Sequence, residues 1–103
     1  MPLFLGESYP VGIGRKALTA AARRARLVAA EMRAEGSEVR FVKSTFVPKD
    51  DALLCLFQAP SADLVMELGR RAGLPIERVV DAVELAAQSG AGASPQNRKE
   101  VSK

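Results

Sequence analysis

The sequence predicts an α+β domain of ferredoxin-like plan, β-α-β-β-α-β, with a four-stranded antiparallel sheet carrying two helices on one face. Three observations lead there. Two segments, residues 15–35 and 62–72, place apolar residues at helical spacing, and each ends on a glycine. The segments around them are rich in β-branched and aromatic residues, as strands are. The connection Pro48-Lys49-Asp50-Asp51 is short enough that the strands it joins must form an antiparallel hairpin.

The elements follow in order. Pro2 to Tyr9 (PLFLGESY) reads as the first strand, and Pro10 to Gly14 as a loop with two glycines. From Arg15 to Glu35 a long helix carries Leu18, Ala21, Ala25, Val28 and Met32 on one side, and Gly36 stops it. Its many alanines favour helix and allow close packing on a sheet. Glu38 to Val47 (EVRFVKSTFV) is the second strand, and Ala52 to Gln58 (ALLCLFQ) the third. Ser61 is placed to cap a second helix, with Asp63 in its first turn, where a negative charge suits the helix dipole. Leu64, Val65, Leu68 and Ala72 form its apolar side, and Gly73 ends it before Pro75. Arg78 to Leu85 reads as the fourth strand. Residues 1–86 thus make one domain, and residues 87–103, poor in large apolar side chains, read as a disordered tail.

The third strand carries the main inference about assembly. Side chains alternate across a strand, so Leu53, Cys55 and Phe57 take one face while Leu54, Leu56 and Gln58 take the other. Both sets are mostly apolar, yet two helices cover only one side. The second face therefore calls for a partner, most simply another copy of the chain, giving a homodimeric α+β barrel with a cleft between the sheets.

Composition narrows the function classes. The net charge of +3 lies mostly in Arg98, Lys99 and Lys103, so the domain itself is close to neutral. Basic residues on the helices, such as Arg23, Arg24, Arg70 and Arg71, alternate with Glu31, Glu35, Asp63 and Glu67. Mixed signs read as a solvated surface, and aromatics are few, so nucleic-acid binding is not expected. No apolar run is long enough to span a bilayer. One cysteine and no charged leader point to a cytoplasmic protein. The chain has no histidine, which removes the usual Ser-His-Asp hydrolase arrangement. Gly12-x-Gly14 lacks the rest of a phosphate-loop motif and reads as a chain turn, and Asp50 and Asp51 read as turn residues.

The string "FVKSTFVPKDDALLCLFQAPS" and the later "RRAGLPIERVVDAVEL" resemble a bacterial family of small domains of unknown function, some of them described as nickel-binding. Ser44-Thr45-Phe46, Cys55 to Ser61 and Arg70 to Pro75 carry the resemblance, which spans about residues 3–85. It implies a ferredoxin-like dimer with a divalent-metal or small-ligand site at the sheet; Glu7 and Cys55 are the metal candidates. The metal-binding relatives carry histidines near the end of the first strand and on the second helix. Here those stretches read Glu7-Ser8-Tyr9-Pro10 and Leu68-Gly69-Arg70-Arg71.

The candidate ligand-binding set is Glu7, Tyr9, Lys43, Thr45, Cys55 and Glu84. Glu7 shares parity with Leu3 and Leu5, and Lys43 and Thr45 share parity with Phe41, so these positions are expected to line the face away from the helices. An ionisable group in such a cleft marks a binding or acid–base site. Cys55, between two leucines, reads first as a buried apolar side chain. Three functions fit: a homodimeric small-ligand binder; a cofactor-independent isomerase, cyclase or lyase using Glu7 or Glu84 as acid–base group, with Tyr9 or Thr45 orienting the substrate; or a regulatory or structural interaction module.

Overall fold

The computed structural model describes residues 1–85. The tail expected at 87–103 lies outside the described residues. Seven elements follow one another: β1 (Leu3–Ser8), α1 (Arg15–Ala34), β2 (Arg40–Val47), a 3-10 turn (Pro48–Asp50), β3 (Ala52–Gln58), α2 (Ala62–Ala72) and β4 (Arg78–Ala82). The sheet order is β2-β3-β1-β4, with every neighbouring pair antiparallel. This is the ferredoxin-like arrangement, with both helices against one face.

Local chemistry sets the boundaries. The α1 helix buries Leu18, Ala21, Ala25, Ala29 and Met32, a stripe with steps of three and four residues. Its end is closed by Gly36 at φ +103°, with the Ser37 amide donating back to the Met32 carbonyl at 2.9 Å. In α2 the Ser61 hydroxyl accepts from the Leu64 amide, and Gly73 terminates the helix in the left-handed region at φ +69°. The hairpin between β2 and β3 turns through Asp51, whose φ of +50° an aspartate tolerates better than most residues.

Three strands are shorter than expected, β1 by Pro2 and Tyr9 at its two ends. β2 starts at Arg40 because the Val39 carbonyl accepts from Arg33 of α1 at 2.9 Å instead of entering the ladder. β4, the edge strand paired with β1 among the described residues, ends at Ala82. Ala82 stands opposite Leu3, where β1 begins, and Met1 and Pro2 before it carry no strand.

The core lies between the helices and the sheet. Phe4, Phe41, Leu53, Cys55 and Phe57 meet Ala25, Ala29, Met32, Val65 and Leu68 there. Phe41 and Phe57 pack edge-to-face with centroids 5.3 Å apart, and the Arg26 guanidinium covers Phe41 at 4.8 Å. Arg71 of α2 bridges Glu35 after α1 and Glu67 on its own helix, tying the two helices together at the surface.

Candidate functional site

Strand alternation sorts the sheet into two faces. Leu53, Cys55 and Phe57 are buried beneath the helices, while Leu54, Leu56 and Gln58 are only half-buried on the opposite face. The register lays rows across this open face. One row runs Thr45, Leu54, Glu7, Arg78; the next runs Lys43, Leu56, Leu5, Val80; a third runs Arg40, Gln58, Leu3, Ala82. The middle is thus a leucine and valine floor with charged or polar groups around it.

A bulge brings β2 into these rows. Phe41 pairs with Phe57 but Lys43 pairs with Leu56, so Val42 is an extra residue in the ladder. The expectation that Lys43 and Thr45 share a face with Phe41 is corrected here. Phe41 points into the core, and the bulge turns Lys43 and Thr45 to the open side.

At one end of the open face, Glu7 is held by two partners. The Tyr9 hydroxyl donates to Glu7 Oε1 at 2.7 Å, and Arg78 Nη2 donates to Oε2 at 3.0 Å. Glu7 is 8% exposed although it sits on the outer side of the sheet, because these two side chains cover it. The Tyr9 hydrogen bond, then that of Arg78, holds the Glu7 carboxyl below its ordinary value of 4.5, against a partial loss of hydration. The same bond raises the Tyr9 hydroxyl above its ordinary 10.0. Arg78 was not among the expected site residues. The strand order places β4 beside β1, and that adjacency is the signal that pairs Arg78 with Glu7.

At the other end a cleft of about 500 Å³ is floored by Leu3 and Leu56, with Lys43, Gln58 and Glu84 among its walls. Glu84 lies just beyond β4 and is exposed. The structure therefore groups Glu7 with Tyr9, and Lys43 with Glu84. Thr45 stands in the Glu7 row with Leu54 between them.

Cys55 is parted from this set. It pairs with Gly6 and Ser44 on the helix side and is wholly inaccessible. Burial pushes its thiol up to about 11, so it stays protonated at neutral pH. Glu7 and Cys55, the two candidate metal ligands, occupy opposite faces of the sheet, and no single ion reaches both. Among the described residues, no three His, Cys, Asp or Glu side chains come together in a way that would hold a metal ion. Nor is any helix among them long and apolar enough to cross a membrane.

The family model described as nickel responsive protein SCO4226-like matches residues 7–81. The crystal structure of SCO4226 from Streptomyces coelicolor A3(2) superposes with a TM-score of 0.68 at 22% sequence identity. That match covers 82% of this chain and 99% of the other. At this identity the likeness establishes a shared fold. No curated protein matches the chain.

Proposed function

The chain belongs to the nickel responsive protein SCO4226-like family, and from that premise we propose that it is a small homodimeric binding protein whose ligand sits between two sheets. The observation that supports this reading is the open sheet face. Leu3, Leu5, Leu54, Leu56 and Val80 lie there side by side, half-buried, with both helices committed to the other face. Contiguous apolar surface of this kind marks a contact site. A second sheet packed about 10 Å away would cover it by two-fold symmetry and leave the end clefts open to a small molecule.

The family description names nickel, and the donor set of this chain does not fit that ion. Nickel takes imidazole and other nitrogen or oxygen donors. Here histidine is absent, the thiol is buried under the helices, and Glu7 already engages Tyr9 and Arg78. The lining of the Lys43–Glu84 cleft suits instead a small, partly apolar organic molecule with a charged group. An acid–base role for Glu7 is disfavoured on the same geometry. A general base near neutral pH needs a raised carboxyl pKa, whereas Arg78 and Tyr9 push this one the other way.

The test is the mass of the particle in solution, by light scattering on a sizing column. The wild-type chain is expected at twice its chain mass, and Leu56→Glu at a single chain mass with an unchanged far-ultraviolet circular dichroism spectrum. A wild-type monomer, or a dimer that Leu56→Glu leaves intact, would contradict the reading. Titration calorimetry with nickel chloride is expected to show no stoichiometric site.

A further inference from the structure

On the helix side of the sheet, far from the open face, a cavity of about 230 Å³ lies between β1, the first half of α1 and the turn after α2. Small residues create it. Ala17, Ala20 and Ala21 of α1 and Ser8 at the end of β1 add little bulk to its walls, and Gly73 offers no side chain to fill the gap. Its walls are otherwise apolar, from Ile13, Leu18, Leu53, Leu74 and Pro75.

Two polar groups mark its ends. At the inner end the Ser8 side chain is 0% exposed, and its hydroxyl has no hydrogen-bond partner among the described residues. Buried hydroxyls are nearly always paired, because leaving one alone forfeits its hydration. At the outer end Arg24 donates from Nε to the Ala72 carbonyl at 2.9 Å, with Nη2 lying over Gly73. That bond fixes the guanidinium plane, and its Nη groups have no carboxylate partner among the described residues. An apolar chamber with a few convergent polar groups is the usual form of a small-molecule site.

We infer that this cavity binds a small monocarboxylic acid, with its carboxylate on Arg24, its apolar body between α1 and the Leu74–Pro75 turn, and a second polar atom on the Ser8 hydroxyl. One guanidinium suits a carboxylate in two-pronged fashion. A phosphate would need more donors than these walls supply. The size, below the ~300–1,000 Å³ of drug-sized sites, sets a small ligand.

Sodium benzoate, 4-hydroxybenzoate and neutral benzyl alcohol serve as probes, followed by amide shifts in nitrogen–proton spectra. Benzoate is expected to give saturable shifts at Ser8, Ile13, Ala17, Ala21 and Leu74. Arg24→Gln is expected to weaken benzoate about tenfold, the loss of a charge-assisted pair, and to leave benzyl alcohol unchanged. 4-Hydroxybenzoate is expected to bind more tightly than benzoate, an advantage lost in Ser8→Ala. Ala17→Leu, at an exposed helix position, blocks the mouth and is expected to abolish all three. Shifts that fail to saturate, that map to the open sheet face, or that survive Ala17→Leu would overturn the inference. So would equal weakening of benzoate and benzyl alcohol by Arg24→Gln, or no benefit from the 4-hydroxyl.

Discussion

At the residue scale, the Glu7–Tyr9–Arg78 cluster makes a directly readable claim. Tyr9 is the only tyrosine and the chain has no tryptophan, so tyrosinate absorbance reports this one group. Its midpoint is expected above 10.0 in the wild type, and back near that value in Glu7→Gln, which removes the carboxylate that favours the protonated phenol. Linkage gives two signs. Glu7 is depressed in the folded state, so its contribution to stability is present above pH 4.5 and lost as pH falls through the folded value. Tyr9 is raised, so its contribution is present below pH 10.0 and lost as pH rises beyond it. Urea midpoints measured across pH should fall at both extremes, and Glu7→Gln should flatten both limbs. Cys55 behaves differently. Sealed under the helices with its thiol near 11, it is expected to react with a disulfide reagent only at the rate of unfolding. Fast labelling of the native protein would contradict that placement.

At the element scale, helix α2 and its exit turn are held by close approach. A Cβ added at Gly69 would lie 2.7 Å from Ile76 Cδ1 and 3.1 Å from the Leu74 carbonyl oxygen. The isoleucine tip can move, but the Leu74 oxygen accepts from the Ile76 amide at 2.8 Å while the Leu74 amide donates to the Gly69 carbonyl at 2.8 Å, which holds that backbone in place. Gly69→Ala is therefore expected to cost about 1–3 kcal/mol in urea unfolding, the range for overpacking. Ser61→Ala removes the cap of the same helix. Its 3.4 Å bond is long, so a loss near the lower end of ~0.5–2 kcal/mol is expected. Much of this element was legible in the sequence, because caps, glycine stops and apolar spacing act locally. Ser61, Gly73 and the β3 limits stand where local rules put them. What escaped is non-local. The bulge at Val42 turns Lys43 and Thr45 outward while leaving Phe41 inward, and nothing within β2 announces an extra residue that only its pairing with β3 defines. Arg78 was hidden for the same reason, since its role depends on the β1–β4 pairing.

At the scale of the whole molecule, one sheet has two different faces. Aromatic residues and Cys55 point toward alanine-rich α1 and amphipathic α2, and close packing there accounts for the core. Leucines and valines on the other face are left half-covered. The alternation within Leu53-Leu54-Cys55-Leu56-Phe57 already expressed that duality, because a strand solvated on one side would alternate apolar with polar residues. The family likeness adds a fold and a name that speaks of nickel, while this chain has no histidine and its one thiol is buried under the helices. Assembly through the open face is the claim on which the proposed binding role depends. Its most direct measurement is an isotope-filtered nuclear Overhauser experiment on a mixture of carbon-13-labelled and unlabelled chains. Cross-peaks between chains are expected at the methyls of Leu5, Leu54, Leu56 and Val80, with none at the core methyls of Val65 and Leu68. No cross-peaks between chains, or cross-peaks confined to the outer surfaces of α1 and α2, would contradict it.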